Sequence, residues 1–378
     1  MKHSLLSAYI VIISLLFAAC CGKGKTFSAP TDGHTQPLQY AEYLHIVEYD
    51  GFTKVDIRNP WDTLRTLHTY LLVDSHQPLP EHLPKGTIVR TPLSNALIYS
   101  SVHLSLLQQL DAAQCVGGIC DVQYFNMLPQ VKQAVLQGEI TDCGSSMAPD
   151  VERIIDLHPD AIFLSPFENS GGYGAIEKLG IPLIECADYM ETSPLGRAEW
   201  MRFYGRLVGK AAKADSLFAL VEKNYHALTE RASQAESRLK VIPDLKTGST
   251  WYMPGGKSYI AGLYRDACVE YAFADDEHSG SVPLSFEAVF DKVGDADVWL
   301  FRYNREQDMT FAELANDFVG YTGLKAYKTG NVYACNTAKV AYYEEIPFRP
   351  DYLLADLIQL FHPEIADMGG LRYFCKLK

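Results

Sequence analysis

The sequence predicts an α/β protein of two lobes with mostly parallel sheets, joined by one long α-helix and preceded by a β-hairpin extension. Three observations carry this. First, residues 210–234 place Ala214, Leu217, Phe218, Val221, Tyr225 and Leu228 on one face at helical spacing, with Lys213, Asp215, Glu222, Lys223 and Glu230 elsewhere. Second, on both sides of this run short apolar strands alternate with helical patterns, which is the order of βαβ units. Third, a block before the helix returns after it. Glu152, Asp156, Asp160 and Ala161 recur at the same offsets as Glu287, Asp291, Asp295 and Ala296. Each block leads into a strand, and Gly180–Cys186 is echoed by Gly330–Cys335. Two such echoes in order, flanking one helix, imply related lobes.

Taken in order, residues 1–19 read as a lipoprotein signal peptide, with Lys2 as its one formal charge and an apolar run from Leu5 to Phe17. The run is too short to serve as a transmembrane anchor. Phe17-Ala18-Ala19-Cys20 resembles a bacterial lipobox, which makes Cys20 the lipidated first residue of a protein tethered to the cell envelope without spanning it. Residues 20–39 are rich in Gly, Lys, Ser, Pro and Thr and read as a flexible tether. Residues 40–90 form an accessory β-hairpin region. Tyr43–Tyr49 and Phe52–Ile57 flank the turn signal Asp50-Gly51, Thr69–Val73 is a third strand, and proline-rich 77–92 is a connection.

Residues 91–209 are the N-terminal lobe, a Rossmann-like unit with strands at Ala96–Tyr99, Val116–Ile119, Ala161–Leu164 and Pro182–Cys186. It ends in a helix capped by Thr192 or Ser193 with Pro194 in its first turn, after which Gly205 and Gly209 interrupt. The linker helix, 210–234, follows at roughly 35 to 40 Å. Residues 235–378 are the C-terminal lobe, with strands at Val241–Ile242, Ser249–Tyr252, Asp297–Phe301 and Asn331–Cys335. Open parallel sheets bind ligands beyond the carboxyl ends of their strands, so two facing lobes enclose a cleft, which one stiff helix allows to close only modestly.

The formal charge is −13, or −14 once Lys2 leaves with the signal, and no Lys/Arg-rich block exists; nucleic-acid binding is therefore not expected. The eleven histidines show neither His-x-His nor His-Glu-x-x-His, and Gly255-Gly-Lys-Ser258 lacks the earlier glycine of a phosphate loop because Trp251 stands there. No Gly-x-Ser-x-Gly occurs. No cofactor, resident metal or catalytic residue is expected, and the chain is read as a binder and not an enzyme. Seven cysteines follow Cys21, an odd number without Cys-x-x-Cys; Cys268 with Cys335 or Cys375 is the one pairing considered, and buried thiols are the default.

Six segments resemble one family: Ser193-Pro-Leu-Gly-Arg-Ala-Glu-Trp200, Trp251–Tyr259, Ser281–Glu287, Asp295–Leu300, Arg349–Asp356 and His362-Pro-Glu364. Over about Pro92 to Glu364 the chain is similar to the ABC-transporter solute-binding proteins for iron–siderophore, haem and cobalamin, the helix-linked class of periplasmic binding proteins. The resemblance implies a metal-chelate ligand and an ABC permease dimer with its ATPase as partners, and a monomer reaching the membrane through its lipid anchor alone. It also implies that one glutamate at the tip of each lobe docks with the permease, here Glu152 and Glu287, the pair already matched by the repeat. Ligand candidates follow the strand exits: Tyr99, Ser100 and His103; Tyr124 and Phe125; Ser165, Phe167 and Glu168; then Trp251, Tyr252, Arg302, Tyr303, Tyr342 and Tyr343. The aromatics offer stacking surfaces, Arg302 suits an anionic chelate, and His103 is an axial-ligand candidate for haem or cobalamin. Two rivals share the frame, an enzyme and a chelate sensor without a permease.

Overall fold

The structure is a computed structural model, which describes residues 32–168, 172–236, 238–365 and 369–378. Its first element is a five-stranded sheet of β1 (His34–Thr35), β2 (Leu44–Tyr49), β3 (Phe52–Arg58), β4 (Thr66–Asp74) and β5 (Thr87–Thr91), in that spatial order. The expected hairpin is present: Tyr49 pairs with Phe52 across Asp50–Gly51, and Gly51 has φ +81°, which glycine reaches without a Cβ clash. Thr69–Val73 lies within β4 and pairs with β3. Two expectations are corrected. His34–Thr35, assigned to the tether, joins β2, and 87–91, assigned to a connection, forms β5 parallel to β4. Thr87, Ile88, Val89 and Thr91 are β-branched, and that preference outweighs the prolines around them.

The first lobe holds β6 (Ala96–Ile98), α1 (Ser101–Gln109), β7 (Val116–Ile119), α2 (Pro129–Leu136), β8 (Thr141–Asp142), a ribbon of β9 (Gly144–Ser145) and β10 (Ala148–Pro149), α3 (Val151–Leu157), β11 (Ala161–Leu164) and β12 (Leu183–Glu185). Its sheet is parallel throughout, in the order β12-β11-β6-β7-β8. The accessory sheet docks on the edge strand through Tyr70, whose hydroxyl donates to Leu183 O (2.7 Å) and accepts from Glu185 N–H (2.8 Å).

Next come α4 (Pro194–Glu199), α5 (Met201–Leu207) and α6 (Ala211–Ala232). Ser193 is the cap, accepting from Gly196 N–H, and Pro194 opens the helix as predicted. This stretch also ties down the N-terminal chain. Glu199 accepts the N–H groups of Gln39, Tyr40 and Ala41 (2.9–3.1 Å), and Glu191 accepts those of Glu42 and Tyr43 (3.0 Å) and the Trp200 indole (2.9 Å). Both carboxylates are buried, and the donors meeting them replace the water they lose.

Gly205 does not interrupt the chain. It lies inside α5, where an added Cβ would stand 2.4 Å from Ala214 Cβ, so it permits the close crossing of α5 and α6; Gly209, at φ +68°, makes the break. The linker helix α6 is one unbroken run of 22 residues, about 33 Å. Ala214, Phe218, Val221 and Tyr225 are buried along it, the predicted face. It packs on α5 of the first lobe and on α12 (Pro350–Phe361) of the second, and so bridges both.

The second lobe contains β13 (Lys240–Pro243), β14 (Lys246–Thr247), β15 (Thr250–Pro254), α7 (Tyr259–Asp266), β16 (Glu270–Tyr271), β17 (Ser281–Leu284), α8 (Phe286–Val293), β18 (Val298–Tyr303), α9 (Phe311–Asp317), α10 (Lys325–Thr329), β19 (Val332–Asn336), α11 (Tyr342–Glu345), then α12 and β20 (Cys375–Lys376). Its main sheet runs β16-β13-β18-β19-β20, parallel except for β20. The run Ser249–Tyr252 was expected in this sheet. It forms β15 instead, the centre of a separate antiparallel sheet with β14 and β17. The repeat is structural: α3 leads into β11 and α8 into β18, Ile154 and Val289 are both fully buried, and Gly180 and Gly330 share φ +69° before the next strand. The proposed pairing of Cys268 does not form, for all seven described cysteines are free thiols. Among the described residues no helix is long and apolar enough to cross a membrane, and Cys20 and the signal segment lie outside them.

Candidate interlobe binding cleft

The carboxyl ends of β6 and β7 face those of β18 and β19 across a cleft of about 700 Å³. This is where open parallel sheets leave backbone groups and loop side chains free for a ligand. On the first lobe, Tyr99 and Ser100 leave β6, and Ser100 caps α1 by accepting from Val102 N–H. Tyr124 stands on the loop after β7, two-thirds exposed. On the second lobe, Arg302 and Tyr303 end β18 and Tyr343 begins α11. These six predicted residues are brought together.

Arg302 is held rigidly. Its Nε and Nη2 donate to the two carboxylate oxygens of Asp244 (2.9 and 2.7 Å), and its guanidinium lies 5.6 and 5.9 Å from the ring centres of Tyr342 and Tyr343. The fork fixes the plane of the cation, and the rings pack against it. Glu344 also enters the cleft, accepting from Ser101 Oγ of the other lobe at 3.1 Å, and burial pushes its carboxyl above the usual range.

The remaining candidates do not line the cleft. Trp251 is fully buried, stacked on Phe286, with its Nε1 donating to Pro243 O at 3.0 Å. Strand alternation turns the next residue, Tyr252, outward, half-exposed and away from the cleft. Phe125 turns into the core at the end of a short helical turn. Tyr342 is buried behind Arg302, which it supports without facing a ligand. Ser165, Phe167 and Glu168 are exposed on the loop after β11, outside the cleft.

His103 is buried. It donates from Nε2 to Asp188 Oδ1 (3.0 Å), and Asp188 also accepts from Tyr204 Oη (2.7 Å) and Arg197 Nε (3.2 Å). Burial alone would lower the His103 pKa, yet Cys186 and Asp188 outweigh it and carry it to about 10. Burial likewise opposes the charge on Asp188, but His103, Arg197 and Tyr204 bring it down to about 2. His103 is thus a charged strut on the buried face of α1, unavailable as an axial ligand.

Most residues that sequence reasoning missed are polar: Ser101, Gln123, Asn126, Asn304, Thr337 and Glu344 line the cleft beside Val102 and Met127, and Asp244 fixes Arg302 from behind. For Asn304 and Thr337, the position directly past a strand end was the available signal. No group of three or more His, Cys, Asp and Glu among the described residues forms a metal site.

Glu152 and Glu287 occupy the first turns of α3 and α8, both exposed, after caps Asp150 and Ser285. Each helix runs back into a central strand, so both glutamates stand on the strand-exit side, the side of the cleft. The backbone N–H and the Ser285 hydroxyl hold the Glu287 carboxyl below its usual range.

The comparisons with known proteins agree with this architecture. The chain is 26% identical over 365 residues to an uncharacterised lipoprotein of Methanocaldococcus jannaschii, covering 90% of this chain and 86% of that one. Its fold resembles a periplasmic heme-binding protein from Pseudomonas aeruginosa (TM-score 0.59, 14% identity, 75% of this chain and 98% of that one). It also resembles an ABC-type Fe3+-hydroxamate transport system from Saccharomonospora viridis (TM-score 0.55, 16% identity, 72% and 94%). The sequence model described as periplasmic binding protein matches residues 107–338, more than half of the chain. With two parallel-sheet lobes joined by a single helix, the chain belongs to the periplasmic binding protein family, in its helix-linked class.

Proposed function

We propose that the chain is the substrate-binding lipoprotein of an ABC importer, anchored through Cys20 in the cell envelope and acting as a monomer. It captures a metal chelate, an iron–siderophore before haem or cobalamin, and delivers it to a permease dimer coupled to its ATPase. The observation that carries this reading is the cleft of about 700 Å³ between strand exits, with Tyr124 and Tyr343 presented from opposite lobes. Its size suits a drug-sized ligand, and tyrosine faces with a few fixed polar groups suit enclosure of a chelate. The burial of His103 takes away the histidine that haem or cobalamin would use, which favours a siderophore whose metal arrives fully coordinated. Glu152 and Glu287 are the docking pair, matched in sequence and in placement.

Purification of the mature chain from a host supplied with iron–siderophores, haem and cobalamin tests the cargo. A stoichiometric chelate identified by absorption and mass spectrometry supports the reading; a colourless protein that none of them stabilises thermally refutes it. The docking pair has its own test. Glu152→Ala with Glu287→Ala is expected to leave chelate affinity unchanged while abolishing uptake, and full uptake by the double variant would disprove the assignment.

A further inference from the structure

The cleft contains two elements that ordinarily attract anions, a guanidinium and a helix N terminus. Both are already met by carboxylates of the chain itself. Arg302 is forked by Asp244, as described, and Asp244 is held for that contact in a left-handed backbone conformation at φ +58°. Its N–H donates to Leu300 O (2.7 Å), and its carbonyl accepts from Trp299 Nε1 (2.8 Å). The fork therefore exists before any ligand arrives. At the N terminus of α1, whose dipole favours a negative group, Ser101 Oγ donates to Glu344 of the second lobe.

At the margin the charges offset each other: Asp308, which accepts from Tyr303 Oη at 3.3 Å, is paired with Lys339 at 2.9 Å, and the charge of Lys132 stands against that of Asp121. Lys132 donates to Asn126 Oδ1, and Asp121 accepts from Gln123 Nε2 at 3.3 Å. The other lining side chains are tyrosine, serine, asparagine, glutamine, threonine, valine and methionine, all neutral. Arg302 contributes one positive charge, and Asp244 and Glu344 one negative charge each. The site is thus singly negative with Glu344 ionised and neutral with it protonated; it is never positive.

We infer that the cleft selects a neutral or cationic chelate and discriminates against polyanionic ones. This rests on the chelate-binding reading above and reverses the expectation that Arg302 awaits an anion. Tyrosine, asparagine and glutamine groups match the carbonyl and amide periphery of a neutral hydroxamate complex. The exposed face of Tyr124 accommodates a pendant ammonium. An anionic chelate meets the reverse situation, because it must approach Glu344 and Asp244 or break the contacts they make.

The test keeps the metal and approximate size fixed and varies charge. Titration calorimetry at physiological salt compares a ferric tris-hydroxamate bearing one positive charge, an uncharged ferric tris-hydroxamate, and a ferric tris-catecholate bearing three negative charges. The first two are expected to bind at least tenfold more tightly than the third. Glu344→Gln keeps an acceptor for Ser101 while removing the charge. It is expected to raise tris-catecholate affinity at least tenfold, and by more than it changes the affinity of the uncharged complex. A tris-catecholate that binds as tightly as the hydroxamates, or that Glu344→Gln does not improve, overturns the charge assignment and leaves the chelate reading intact. Failure of all three complexes to bind overturns the chelate reading and the charge assignment with it.

Discussion

Asp188→Asn is the substitution that tests the packing beneath the cleft most directly. Asp188 is 1% exposed and accepts hydrogen bonds from His103, Tyr204 and Arg197, so the change leaves a half-buried guanidinium and a buried imidazole without their anion. Holding this carboxyl at about 2 instead of 3.8 favours the ionised folded state by an energy on the order of 2 kcal/mol. Removing one partner of a buried ion pair costs about 3–5 kcal/mol, so a loss of about 3 kcal/mol at pH 6 is expected. The pH dependence is a second signature. Because the folded value of Asp188 is depressed, its contribution is present above about 3.8 and is lost as pH falls toward 2. The folded value of His103 is raised, so its contribution is complete below 6.5 and fades as pH rises toward 10. In the variant only Cys186 is left to oppose burial, so the folded value of His103 falls and the decline between 6.5 and 10 shrinks. Urea unfolding of both proteins by circular dichroism at pH 6, 8 and 9.5 should show a gap that narrows with pH. A variant within 1 kcal/mol of the parent at pH 6, or a gap constant across that range, would refute the reasoning.

Two further substitutions separate binding from folding. Tyr124→Ala and Tyr343→Ala should each weaken chelate binding roughly tenfold by calorimetry, the scale of one lost aromatic contact, whereas Trp251→Phe should lower the melting temperature and leave affinity unchanged. Gly205→Val places a branched side chain where even a Cβ is 2.4 Å from Ala214; it should destabilise the protein by about 1–3 kcal/mol or more in thermal melts while sparing the strand exits.

How far the sequence could be read is clearest at particular elements. The linker helix was legible because a single apolar stripe with charges elsewhere has one solution in water. The Asp50–Gly51 hairpin was legible because its turn residues match the backbone they must adopt. The repeat was legible because each helix leads into a strand at the same interval. Gly205 was misread because a helical glycine looks the same whether it breaks a helix or lets another approach. The antiparallel position of β15 was missed because pairing is decided by distant partners, and β5 because the prolines around it masked its β-branched residues.

By itself the sequence determined the local periods, the turns, the duplicated plan and therefore a cleft at the strand exits, since each of these depends on residues close together in the chain. Only the tertiary structure decided which side chains look into that cleft. Trp251 and Tyr252 are neighbours with equal claims until the sheet turns one inward, and His103 is a candidate ligand until Asp188, 85 positions away, accepts its hydrogen bond. Arg302 is an anion receptor until Asp244 closes on it. Burial, hydrogen-bond partners and the local charge balance are properties of groups brought together by folding, and they assign to each residue the role that its type alone leaves open.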